Sequence, residues 1–135
     1  MGTICEKELD KSMEEHKWKI KILKGTYNHI MAGVTTSDFD INTSSYDTCG
    51  WYLFCRNTPP TLYSGPPFNY RNVKTNLSDI NDEIVIVMNM KKRALKFIIN
   101  NEDKGDSYIN IPIDKPLYPA VCLCCKGDSV EITDF

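Results

Sequence analysis

The sequence predicts an all-β fold, an antiparallel sandwich of short strands, and three observations carry the prediction. The first is the stretch Asp82 to Ile99, DEIVIVMNMKKRALKFII, with two apolar runs on either side of a short basic reversal. Ile84, Ile86 and Met88 fall on one side of the first run and Val85 and Val87 on the other, so a strand here is apolar on both faces and central in its sheet. In the second run Leu95, Phe97 and Ile99 alternate with Ala94, Lys96 and Ile98. Asn89, Met90, Lys91, Lys92 and Arg93 then make a polar tip in water, the pattern of an antiparallel hairpin. The second observation is KWKIKIL, in which Trp18, Ile20 and Ile22 alternate with Lys17, Lys19 and Lys21. The third is the recurrence of short apolar runs between polar turns, with β-branched residues favoured and no helical period.

Taken in order, Thr3 to Cys5 is a short strand and Glu6 to His16 a polar loop or a single helical turn. Lys17 to Leu23 is a strand with one face in the core and one in water. After a turn at Gly25 to His29, Ile30 to Thr35 is a buried strand whose Ala32 and Gly33 leave room for close packing. Its partner in chain order is Gly50 to Cys55, where Trp51 and Leu53 alternate with Tyr52 and Phe54. Thr61 to Tyr63 is a further strand, and Val130 to Thr133 closes the chain after a tight turn at Lys126 to Asp128. Trp18, Trp51, Tyr118, Val121, Leu123, Val130 and Ile132 are expected in the core. Three polar segments separate these strands: SDFDINTSSYDTC with Phe39 and Tyr46, SGPPFNYRNVKTN with Phe68 and Tyr70, and Asn100 to Ser107. Loops of that length in a compact domain commonly carry function.

At 135 residues, 41% hydrophobic and 25% charged, the chain has the makings of one domain around one core, residues 1–135, with 1–16 the least regular part. A net charge of -2 gives no basic stripe for nucleic acid. No apolar run approaches the roughly 20 residues of a membrane helix, and MGTICEKELDKSMEE is too charged for a signal peptide. These features place the protein in the cytoplasm. The six cysteines fit that setting. Cys49 and Cys55 bracket one strand and lie about 20 Å apart along it, too far for a disulfide. Cys122, Cys124 and Cys125 lack the spacing of a zinc pair, so all six are expected reduced, with no metal and no cofactor.

Catalysis has little to work with. The histidines are His16 and His29, there is no Gly-x-Ser-x-Gly elbow, and Gly65-Pro66-Pro67 offers no N–H groups to a phosphate. No catalytic residue is assigned.

Six segments in order carry a resemblance. KWKIKIL at Trp18, GVTTSD at Gly33, GWYLFC at Gly50, LYSGPP at Leu62, DEIVIVMNMKKRALKFIIN at Asp82, and YPAVCL at Tyr118 followed by VEI together resemble the SPRY domain over nearly the whole chain. The resemblance implies a bent, lectin-like β-sandwich of two antiparallel sheets that serves as a non-catalytic protein-interaction module, most commonly in substrate recruitment to a ubiquitin ligase. This chain departs from the family in two ways. It starts later than family members commonly do, and Asn101 stands where the family has a strand-end glycine, a substitution that a positive φ tolerates.

The resemblance also implies a binding site. Family members with a SOCS box bind a short Asn-containing peptide through a loop tyrosine and through residues after the strand that follows Pro-Ala-Val. The tyrosine corresponds without a gap to Tyr46. The second group corresponds to Cys124, Cys125 and Lys126, where those members have a bulky aromatic and a glycine, so the location carries over and the peptide specificity does not. The expected partner-binding set is Phe39, Tyr46, Phe68, Tyr70, Cys124, Cys125 and Lys126, gathered at one end of the sandwich, with the Lys92 turn at the opposite end. Its ligand is a protein or peptide, with no nucleic acid and no membrane, and the chain acts as a monomer. The competing reading is a carbohydrate-binding lectin-like domain that stacks Trp or Tyr on a sugar.

Overall fold

The computed structural model of the protein describes residues 2–4, 8–24, 30–36, 50–55, 61–65, 69–72, 83–123 and 127–134. Among them the regular elements are eleven strands: β1 (Gly2–Ile4), β2 (Glu15–Lys24), β3 (Ile30–Thr36), β4 (Gly50–Cys55), β5 (Thr61–Gly65), β6 (Asn69–Asn72), β7 (Glu83–Asn89), β8 (Ala94–Ile99), β9 (Glu102–Tyr108), β10 (Leu117–Leu123) and β11 (Ser129–Asp134). They form two antiparallel sheets, ordered β1-β10-β3-β4-β5-β6 and β11-β2-β7-β8-β9. The expected all-β sandwich is the observed fold.

The period-two patterns decide which faces meet. Trp18, Ile20 and Ile22 of β2, Ile84, Ile86 and Met88 of β7, and Leu95, Phe97 and Ile99 of β8 are buried against Ile30, Ala32, Val34, Leu53, Leu62, Leu117 and Val121 of the other sheet. The opposite face of the six-stranded sheet carries a second buried cluster, Met31, Tyr52, Phe54, Tyr63, Ala120 and Cys122. That explains why β3 and β4 read as apolar on both sides. Burying the larger side chains of these clusters contributes about 1.5–3 kcal/mol each. Cys55 and Cys122 are buried and in no disulfide, and burial pushes the Cys122 thiol up to about 11. Cys5, Cys49, Cys124 and Cys125 lie outside the described residues.

The hairpin is central as expected, since β7 lies between β2 and β8. Its tip differs in one respect: Lys91, Lys92 and Arg93 are exposed, whereas Met90 turns into the core. The Met90 N–H donates to the Glu14 carbonyl at 2.8 Å, and Arg93 reverses the chain at φ 56°. The next hairpin turns on Asn100 and Asn101, at φ 48° and 68°, the pair of left-handed residues that a two-residue turn requires. Asn101 therefore does the work of the family's glycine.

Several expectations are corrected. Asn100 to Ser107 is not a loop, because Glu102–Tyr108 is strand β9 at the edge of its sheet. Its run of charges has no apolar period, since an edge strand that faces water needs none. Asn69–Asn72 is likewise strand β6, paired with β5, where a continuous loop was expected. β2 starts at Glu15, so His16 is in a strand, with its Nε2 2.9 Å from the Asp10 carbonyl. Trp51, Tyr118, Leu123 and Val130 are only partly buried. Ile132 is 51% exposed: it shares the inward face with Ile20, but it sits on an edge strand with no described element over it.

Candidate functional site

Strand register decides which chain segments leave the sandwich together. Thr35 of β3 lies opposite Gly50 of β4, Gly50 opposite Gly65 of β5, and Ser64 opposite Asn69 of β6. Segments 37–49 and 66–68 therefore join the six-stranded sheet at the same end, on adjacent strands about 4.8 Å apart. Two glycines make this close assembly possible. A side chain at Gly33 would collide with the Trp51 carbonyl oxygen, and one at Gly50 with the Val34 carbonyl oxygen. The short GVTT and GWYLFC patterns thus fix how β3 and β4 meet at the mouth of the sandwich, where Trp51 remains partly exposed.

The five-stranded sheet contributes to the same end. The Leu9 N–H donates to the Leu117 carbonyl at 2.7 Å, while Glu14, five residues on, accepts from Met90 in the β7–β8 turn. On the other side the Ile111 N–H donates to the Arg93 carbonyl at 3.0 Å, and residues 109–116 lead into β10. The Tyr108 hydroxyl donates to the Tyr52 carbonyl at 2.8 Å and clamps β9 to β4. The Lys91–Arg93 tip accordingly belongs to the end from which 37–49 and 66–68 emerge. The expected placement of Lys92 at the opposite end is overturned, because sequence alone does not reveal how the sheets stack.

Segment 124–126 leaves from the other end. Leu123, its preceding residue, pairs with Ile30, and β10 runs seven residues, about 20 Å from Leu117 at the mouth to Leu123. Of the expected binding residues, Phe39, Tyr46, Phe68, Cys124, Cys125 and Lys126 lie outside the described residues. Tyr70 lies in β6, its Cα opposite that of Tyr63.

Beside the mouth, on the outer face of the five-stranded sheet, is a cavity of about 240 Å³ lined by Glu15, Val87, Asn89, Lys92, Lys96 and Asp106. Two lysines and two carboxylates are among its lining residues. Lys96 also pairs with Asp103 at 3.0 Å, a hydrogen bond that holds the lysine above its ordinary pKa. Asp103 is held below the usual carboxylate range, first by the N–H of Gly105 and then by Lys96. Sequence reading missed this site because its lining comes from four strands, with Glu15 of β2 brought beside the consecutive β7, β8 and β9 only by sheet pairing. Among the described residues no group of three or more His, Cys, Asp or Glu is placed to hold a metal ion. The described residues contain no helix long and apolar enough to cross a membrane.

A family model described as the SPRY domain matches residues 15–134. Among solved structures, the SPRY domain of human HERC1 is 24% identical with a TM-score of 0.64, covering 100% of this chain and 79% of that one. A human SPRY domain is 15% identical with a TM-score of 0.72, covering 98% and 82%. The TRIM65 PSpry domain is 12% identical with a TM-score of 0.66, covering 99% and 70%. No curated protein sequence matches the chain significantly.

Proposed function

The chain belongs to the SPRY domain family, whose members are protein-interaction modules, and from that premise we propose that it binds a short peptide or protein surface through the segments at the mouth of its sandwich. The observation that carries the reading is the register Thr35–Gly50–Gly65, which sets the stems of 37–49 and 66–68 side by side on a rigid sheet. Loops on a fixed frame are well suited to recognition, and aromatic residues supply large contact area at low entropic cost. Phe39, Tyr46 and Phe68 lie in those segments and Tyr70 follows in β6. Cys124, Cys125 and Lys126, which follow β10 at the far end, extend the site for a ligand long enough to span the sheet.

In this reading the module is non-catalytic, monomeric and cytoplasmic, and it recruits substrates to a ubiquitin ligase or a similar assembly. The test begins with affinity capture from a cytosolic extract, followed by calorimetry on the partner that is found. Tyr46→Ala is expected to lose about 1–3 kcal/mol of affinity, while the melting temperature stays near that of the parent. The control belongs away from both the mouth and segment 124–126, at the β8–β9 turn on the opposite edge, where exposed Glu102→Ala is expected to leave affinity unchanged. Unchanged affinity in Tyr46→Ala would remove the 37–49 segment from the site.

A further inference from the structure

Strand β11 ends the five-stranded sheet, and among the described residues it has a neighbour only on the β2 side. Cross-strand rows run from it across the sheet. On the outer face Glu131 lies opposite Lys21, and Lys21 opposite Glu83, so charge alternates negative, positive, negative. On the inner face Ile132 lies opposite Ile20, Ile20 opposite Ile84, and Ile84 opposite Ile99. The inner members of that row are at most 1% exposed, whereas Ile132, its last member, is 51% exposed. Each row stops at β11 with its next position empty of any described element, one calling for a cation and the other for an apolar side chain.

We propose that the free edge of β11 accepts an extended segment of a partner protein as an additional strand, with alternating basic and apolar residues. An apolar residue opposite Ile132 would extend the isoleucine row, and a lysine or arginine opposite Glu131 would continue the charge alternation, each such pair favouring the added strand. β2 itself, with Lys19, Ile20 and Lys21, already shows that β11 accepts this pattern on its other side. A second copy of the chain fits less well. Antiparallel self-pairing centred on Ile132 sets Glu131 against Thr133, and centring it on Glu131 sets two carboxylates together, so neither register supplies a cation. This edge is separate from the loop stems at the mouth, and the inference stands whether or not Tyr46 binds a ligand.

The probe is a capped hexapeptide of alternating lysine and valine, titrated into the chain with backbone amide NMR and calorimetry. Binding is expected with shifts confined to residues 129–134 and their β2 neighbours. Glu131→Lys should weaken it about tenfold, since an attractive cross-strand pair becomes a repulsive one. Glu131→Gln, the milder variant, should give an intermediate loss. A matching peptide of alternating glutamate and valine should bind the parent poorly and Glu131→Lys better, and a thermal melt of each variant confirms that the fold is intact. Equal binding of the lysine peptide to the parent and both Glu131 variants would overturn the proposal, as would shifts centred on β9 or no binding to the parent. Concentration-dependent dimerisation of the chain alone, abolished by Ile132→Lys, would also overturn it by assigning the edge to a second copy.

Discussion

Strand β9 closes one edge of the five-stranded sheet with charge and a bend, whereas β11 closes the other with β-branched residues and a bare isoleucine. Along β9 the sequence Glu102, Asp103, Lys104, Gly105, Asp106 offers an incoming strand no apolar row. Its pairing with β8 shifts register between Leu95 and Lys96 and again between Lys96 and Ile98. Gly105 stands at φ 74°, and ion pairs tie Lys104 to Glu102 and Lys96 to Asp103. Such features discourage edge-to-edge pairing. The single register shift of β11 falls at its very start, between Ser129 and Val130, and the rest continues the rows of β2 without interruption. Among the described residues the two edges of this sheet are therefore unequally defended, and β11 is the edge at which a further strand fits.

The largest test of this contrast concerns how firmly β9 is held. Its last residue, Tyr108, is buried, packs edge-to-face on Phe97 with ring centroids 6.5 Å apart, and reaches the other sheet through the Tyr52 carbonyl. Tyr108→Ala is expected to destabilise the fold by about 3–4 kcal/mol, the range for removal of a core aromatic. Tyr108→Phe should cost only about 1 kcal/mol, for the lost hydrogen bond. Denaturant unfolding measures both. Equal losses would mean that the hydroxyl, not the ring, holds β9.

β9 also marks the limit of what the sequence discloses. A strand is legible when one face must be apolar, which is why β2, β3, β4, β7 and β8 were found close to their observed bounds. β9 and β6 lie at sheet edges, and EDKGDSY and NYRN carry no alternation to report them. Alternation assigned Ile132 and Trp51 to the inward side, and neither is fully buried, because a period of two says which way a side chain points and nothing about what lies over it. The candidate site was harder still. Which loops share an end depends on β10 lying between β1 and β3, and on the hydrogen bonds that bring the β7–β8 turn beside Leu117. Both are contacts between residues far apart in the chain, and no local pattern encodes them.

A smaller test isolates the bend. A Cβ placed on Gly105 would meet nothing within 4 Å, so Gly105→Ala introduces backbone strain without a clash. The expected cost is about 1–2 kcal/mol, that of holding an L-residue in the left-handed region. Gly127, also at positive φ, precedes β11 rather than interrupting it. Strain at Gly105 should therefore speed amide exchange along β9 and leave β11 unchanged. Equal loss of protection at both edges would show that the substitution acts on the whole sheet and not on the bend.

The smallest effect lies in the charges that fasten β9 to β8. Asp103 is held below its ordinary pKa of 3.8, so its contribution is present above that value and is lost as pH falls through the lower folded value. Lys96 is held above its ordinary 10.5, so its share is present below 10.5 and is lost as pH rises through the higher folded value. The pair is thus fully formed across the neutral range and loosens at both extremes. Its side chains are 31% and 51% exposed, so solvent screening keeps the interaction within about 0.2–1 kcal/mol. Asp103→Asn should cost that much at pH 7, and the gap from the parent should close in strong acid, where Asp103 is protonated in both folded and unfolded states. Paired urea titrations at the two pH values, repeated at high salt, measure it. A difference that persists undiminished in acid would mean that the Gly105 N–H, which an asparagine oxygen also accepts less strongly, and not the ionised pair, accounts for what Asp103 does at this edge.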